Sequence, residues 1–306
     1  MTHTQKLLFL LFLIVESMTH AQEARVIKVP IIIENNLISV ILAVQKTDTL
    51  LLYTDTGGKN YLYRSGLKKL GLKKSKSNLW SPEIAKIFRS SNIPLPFEKQ
   101  LNFIKDPKAS EDGMLGREWF ARRAWLFDYE SETLSLANFT QQETEAEEKI
   151  PLGFKKDSLG NHTDHLPRIE VFIDNDTLSF LFDTGAQAFL SDEAQAYFQC
   201  TEKVATSFIN ATYFEKWKAA HPDWMILKGG DQSFGKSADI IVAPHVQIGS
   251  RSIGPVAFTK REDFNFEIMS ERFMDSEIVG AIGGNALSQL ERFIIDYPNE
   301  MMSLID

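Results

Sequence analysis

The chain is written twice, and this repeat limits its possible folds more than any other feature. Residues Ile41 to about Leu70 match Ile169 to about Phe198 without a gap, 128 positions further on. Asp48-Thr49-Leu50 falls on Asp176-Thr177-Leu178, Asp55-Thr56-Gly57 on Asp183-Thr184-Gly185, and Tyr61-Leu62 on Phe189-Leu190. Each copy reads as an Asp-Thr turn, an apolar strand (Leu50 to Tyr53, then Leu178 to Phe182), an Asp-Thr-Gly and another strand. The halves also end alike. Gly113-Met114-Leu115-Gly116, Trp119-Phe120 and Leu126-Phe127-Asp128-Tyr129 correspond to Gly280-Ala281-Ile282-Gly283, Ala286-Leu287 and Ile294-Ile295-Asp296-Tyr297. A short amphipathic helix is expected after each Gly-x-x-Gly. A strand-turn-strand is expected around each Asp-Tyr, closing with Thr133 to Leu136 and Met301 to Ile305.

The repeat predicts two homologous, mainly β lobes, at 22–137 and 150–306. They are joined by the polar, acidic stretch Asn138 to Lys149, which lacks apolar periodicity and reads as a linker. The second lobe is longer: Asp183 to Gly280 spans 97 positions, against 58 from Asp55 to Gly113. The surplus centres on Thr201 to Ser237, with a helix expected over Ser207 to Ala220 and a turn at Gly229-Gly230.

Lys6, the apolar run Leu7 to Val15 and Thr19-His20-Ala21 have the layout of an export signal, placing cleavage after Ala21 and the mature chain outside the cytoplasm. Nine apolar residues are too few for a hydrocarbon core that needs about 20, so no transmembrane segment is expected. A formal charge of −8 argues against nucleic acid as the partner, because phosphate binding needs clustered cations. Cys200 is the only cysteine, so no intramolecular disulfide forms, and it reads as an inert core thiol.

The duplicated Asp-Thr-Gly carries the chemistry. Two copies of one loop facing each other across an axis bring two carboxylates to a single water. One takes a proton from that water while the other protonates a scissile carbonyl. The threonine hydroxyls can lock the loops together. The glycines let them approach closely, and the strand behind each aspartate holds it on a rigid element.

At these residues the chain resembles the pepsin-like and retropepsin-like aspartic peptidases, especially bacterial two-lobed members. The resemblance spans nearly all of the mature chain but is specific only at the Asp-Thr-Gly pair. It implies a bilobal acid-protease (pepsin-like) fold of two retropepsin-like lobes, acting as a monomer without metal or cofactor. It also implies a peptide or protein substrate bound as an extended strand in an interlobe cleft. Carried over, Asp55 and Asp183 are the catalytic pair, supported by Thr56, Gly57, Thr184 and Gly185. Aspartic-protease dyads are themselves the type case of two carboxyls too close for both to ionise readily.

The chain departs from the pattern in three places. Where pepsin-like motifs carry Ser or Thr after the Gly, this chain has Gly58 and Ala186, and Gly58 is expected to leave the first loop less supported. No Tyr lies between Arg64 and Asp112 to serve as a flap tyrosine; Trp80 stands there, read first as a packing residue. The first expected strand, Val26 to Ile33, follows the cleavage site so closely that no pepsin-type prosegment is expected.

Other candidates read as structural. His162 and His165 flank Asp164 in a polar stretch expected to be a solvated loop rather than a metal site. The Gly280 to Gly284 run lacks the Lys-Ser/Thr of a phosphate loop, and no nucleophile elbow supports a serine or cysteine hydrolase. Asn138, Asn161, Asn175 and Asn210 begin Asn-x-Thr sequons, meaningful only in a glycosylating host. Two functions remain open: an aspartic endopeptidase, or a protease-fold protein that holds a peptide or other ligand without cutting it.

Overall fold

The computed structural model describes residues 27–45, 48–75, 77–105, 109–136 and 146–305. The expected leader and its cleavage site lie outside the described residues, as do positions 138–145 of the expected linker. The fold is mainly β and is built from two equivalent halves around one continuous core.

The strand leading into each Asp-Thr-Gly shows how closely the halves agree. Asp48–Thr54 and Asp176–Phe182 have the same burial sequence, with Leu50, Leu52 and Thr54 matched by Leu178, Phe180 and Phe182 on the inward face. Each pairs antiparallel with the preceding strand, Leu37–Gln45 or Arg168–Ile173. Each also takes a parallel partner from its Gly-x-x-Gly segment, Gly113–Leu115 or Gly280–Ile282. Two-residue turns at Asn35-Asn36 and Asp174-Asn175, which are not equivalent in the repeat, put both residues at positive φ, a conformation Asn and Asp adopt more readily than most side chains.

The halves meet in a six-stranded sheet whose middle pair is Ala124–Asp128 against Arg292–Asp296. That pairing is centred on Leu126 and Ile294, equivalent positions of the repeat, so the sheet runs unbroken from one lobe into the other. Thr133–Leu136 and Met301–Ile305 flank the pair, and Ile27–Val29 and Ala146–Pro151 close the edges. Phe127 and Phe293 stack across the boundary with centroids 5.1 Å apart, joining the aromatic clusters of both halves. A fully buried Phe contributes about 1.5–3 kcal/mol, so this shared core opposes separation of the lobes.

Four expected elements differ in detail. The first strand is two strands, Ile27–Val29 and Ile31–Glu34, because Pro30 lacks an N–H and the chain passes there from the interlobe sheet to the first-lobe sheet. The end of the expected linker is strand from Ala146, since Ile150 buries itself against the closing strand. The expected helix over Ser207 to Ala220 begins only at Ala211. Asn210 caps it by accepting from the Tyr213 N–H at 2.9 Å, and Ser207–Asn210 is a strand between Val256–Arg261 and Gly280–Ile282. Gly229-Gly230 is no chain reversal either: it lies inside the strand Met225–Asp231, where Gly229 at φ +59° accompanies a register shift.

Candidate active site

The two Asp-Thr-Gly loops face each other across the lobe boundary. The Thr184 N–H donates to Thr56 Oγ1 at 3.0 Å, and the Thr56 N–H donates to Thr184 Oγ1 at 3.2 Å. Thr56 Oγ1 also donates to the Phe182 carbonyl at 2.8 Å. Both threonines are fully buried, where a polar group without a partner costs about 1–3 kcal/mol, so these bonds hold the loops in one arrangement. Behind each loop the parallel strand anchors the aspartate: the Asp55 and Asp183 N–H groups donate to the Leu115 and Ile282 carbonyls, each at 2.9 Å.

The carboxyl groups of Asp55 and Asp183 face each other, each set against the motif glycine of the opposite loop and close enough for each to shift the ionisation of the other. Both residues are partly exposed at the boundary, while Asp55 Oδ1 is sealed from solvent with no donor among the described residues. The Gly185 N–H donates to Asp183 Oδ1 at 2.9 Å, and the Gly57 and Gly58 amides face Asp55. Each motif glycine presses on the opposite aspartate. A Cβ on Gly57 would stand 2.8 Å from Asp183 Cγ, and one on Gly185 only 2.2 Å from Asp55 Cγ. No side chain fits at either position in this arrangement.

Burial raises both carboxyls above the ordinary carboxylate range. The charge of Asp55 pushes Asp183 up further, whereas the Arg117 guanidinium pulls Asp55 down. The pair therefore keeps one proton into a pH range where isolated carboxyls have lost theirs, and its titration belongs to the dyad rather than to either residue.

The structure thus brings together all six residues expected at the site. Gly58 fits this arrangement for a local reason. A Cβ there would lie 2.6 Å from both Asp55 Oδ2 and Met114 Cε, so the first loop relies on backbone amides in place of a hydroxyl. Trp80 packs on Phe88, centroids 5.4 Å apart, against the main core. Between Leu62 and Gly113 the described residues hold the helices Arg64–Lys69 and Pro82–Ser90 and the short strand Asn102–Phe103, without a β-hairpin to carry a flap tyrosine.

The stretch around His162 is solvated only in part, at Gly160, Asn161 and Thr163. His162 stacks on Phe154 with centroids 4.6 Å apart and contacts Glu300 at 2.9 Å, and His165 is buried. No group of three or more His, Cys, Asp and Glu suited to a metal occurs among the described residues. Cys200 is partly buried, and burial pushes its thiol up.

Sequence reasoning missed two features beside the dyad. Arg117, which opens the helix after the first Gly-x-x-Gly, reaches into the second lobe and grips Asp164 through two contacts, at 2.8 and 3.1 Å. Tyr53 crosses the boundary to bond Gly185. Strand alternation would have put Tyr53 on the same face as Asp55, but its partner lies 132 positions away and leaves no local mark.

No protein-family model matches the sequence, and no curated protein matches it. Among solved structures the chain is similar to a retropepsin-like aspartic protease from Rickettsia conorii, at 16% identity and TM-score 0.30 over 51% of this chain and 89% of that one. It is also similar to Basic 7S globulin from soybean, at 9% identity and TM-score 0.45 over 92% of this chain and 95% of that one. An aspartic proteinase from Irpex lacteus aligns at 11% identity and TM-score 0.45, over 92% and 97% of the two chains. The duplicated topology, the shared interlobe sheet and the facing loops define the chain's own architecture as the bilobal acid-protease fold.

Proposed function

We propose that this chain is an aspartic endopeptidase, hydrolysing peptide bonds with a water activated between Asp55 and Asp183. The observation that carries the reading is that these two carboxyls face each other on equivalent, mutually bonded loops, each against the opposite motif glycine. The ionised member takes a proton from the water, whose oxygen attacks the scissile carbonyl carbon, while the protonated member donates to the carbonyl oxygen. The resulting gem-diol intermediate collapses as the C–N bond breaks: the amine leaves with the dyad's proton while one gem-diol hydroxyl returns its proton to the other carboxylate, restoring the singly protonated pair. Both carboxyls come from one chain, so the reaction needs no second subunit. The substrate is a peptide lying extended between the lobes, outside the cytoplasm if the N-terminal segment acts as the leader it resembles. Among the described residues no helix is long and apolar enough to cross a membrane.

One observation favours a second reading, a protein that binds peptide without cutting it. No β-hairpin stands between Leu62 and Gly113 among the described residues to close over a bound strand. Incubating the purified chain with a diverse peptide library, beside its Asp183→Asn variant, separates the two. Cleavage that disappears in the variant is the outcome expected of the peptidase. Intact peptides retained by folded wild-type protein would replace it with the binding protein.

A further inference from the structure

Tyr53 lies two residues ahead of Asp55 on the strand Asp48–Thr54 and is almost wholly buried. Its ring packs with Leu37 and Met114 of its own lobe and with Ala205 of the other. Its hydroxyl donates across the boundary to the carbonyl oxygen of Gly185. Gly185 is also the residue whose N–H holds Asp183 Oδ1 at 2.9 Å and where a Cβ would stand only 2.2 Å from Asp55 Cγ. Gly185 is therefore a joint between both aspartates, and the phenol fixes that joint from the opposite lobe.

The repeat isolates this feature. The position equivalent to Tyr53 in the second lobe is Leu181, which has no hydroxyl to return. Leu181 packs with Leu166, Phe266, Met274 and Ile278 of its own lobe. The first aspartate loop thus receives no matching bond.

We propose that Tyr53 is a positioning residue of the dyad: its buried hydroxyl holds the Gly185 backbone in place and thereby orients the Asp183 carboxyl. The inference deepens the peptidase reading above and rests on it. The charged and titratable groups facing the phenol are Asp55, Asp183, Glu111 and Tyr63, with the Lys203 ammonium 5.1 Å from the ring centroid. Burial, then the two aspartates, push its ionisation well above the usual range, so it stays a donor wherever the dyad titrates.

Tyr53→Phe removes the hydroxyl and keeps the ring. The first readout needs no activity: a carbon-13 titration of labelled aspartates in the full chain, with resonances assigned from Asp55→Asn and Asp183→Asn. Loosening the Gly185 N–H from Asp183 removes a bond that favours the ionised form. The dyad's titration should therefore rise by about half a pH unit in Tyr53→Phe. It should stay in place in Tyr61→Phe, a neighbour in the same cluster. Unchanged titration in folded Tyr53→Phe overturns the proposal.

If that variant does not fold, 3-fluorotyrosine at position 53 keeps the hydroxyl as a stronger donor and should move the titration downward; no movement again overturns it. The second readout is turnover, where kcat should fall about tenfold to a hundredfold with KM little changed. Wild-type protein that cuts nothing defeats the peptidase reading alone, because the titration still decides the role of Tyr53.

Discussion

The two lobes present the same loop on strands of matching burial, yet they back that loop differently. Arg117 and Gly284 open the equivalent helices after the two Gly-x-x-Gly segments, and Asp164 and Asn36 are equivalent in the repeat. On one side buried Arg117 grips Asp164 across the boundary. On the other, Gly284 leaves only backbone, packed so closely that a Cβ would stand 2.3 Å from the Asn36 carbonyl oxygen. Tyr53 and Leu181 make a second mismatched pair. The reciprocal threonine bonds and the facing glycines stay symmetric because both carboxyls must meet. The surrounding ties are free to diverge, and they place a cation on the Asp55 side and a phenol against Gly185.

The largest effects test the symmetric part. Asp55→Asn and Asp183→Asn should each lower kcat/KM by about a thousandfold or more, since each removes one half of the proton transfer. A variant retaining most of its activity would show that its lobe is dispensable.

The asymmetric ties come next. Arg117→Met leaves Asp164, which is partly buried, without its partner and should cost about 3 kcal/mol in urea unfolding. Gly284→Ala overpacks the other side and should cost about 1–3 kcal/mol. Equal losses would mean that the ion pair ties the lobes no more tightly than backbone contact does. Within the threonine pair, Thr56→Val breaks two hydroxyl bonds and Thr184→Val the one from the Thr56 N–H. The first should therefore destabilise by about 2 kcal/mol and the second by about 1 kcal/mol, and a reversed order would break the assignment.

The smallest effect concerns pH. Asp183 has a raised pKa in the folded chain, so the fold binds its proton more tightly than the unfolded chain does. That contribution is fully present below the ordinary carboxylate value of 3.8 and is lost as pH rises through the folded value. Asp183→Asn should therefore melt above wild type near neutral pH, with the difference shrinking in acid. A variant less stable than wild type at every pH would contradict the raised pKa.

Much of this was legible in the sequence because it repeats locally. The strand before each aspartate, the Gly-x-x-Gly partner behind it and the hairpin around each Asp-Tyr recur in the same order in each half, and apolar alternation alone sets their inward faces. Ser207–Asn210 was not legible as strand: its pairing with Val256–Arg261 is long-range, and its residues run without a break into the helix that Asn210 caps. The Arg117–Asp164 pair and the Tyr53 bond were hidden for the same reason. Each joins residues that only the folded interlobe sheet brings together, and a tyrosine in an apolar strand looks like core until its hydroxyl finds a partner. The reason for Gly58 was not legible because its need for space comes from Met114, on a strand 56 positions away.

The central claim is that two equivalent carboxyls share one proton and cut by acting together. The most direct test is the pH dependence of kcat/KM on a cleaved library peptide, for wild type and both Asp→Asn variants, from about pH 3 to about pH 8. The account predicts a bell with two macroscopic pKa values for wild type and turnover lowered about a thousandfold or more in each variant. Near-wild-type turnover in one variant, or a wild-type profile governed by a single ionisation, would contradict it.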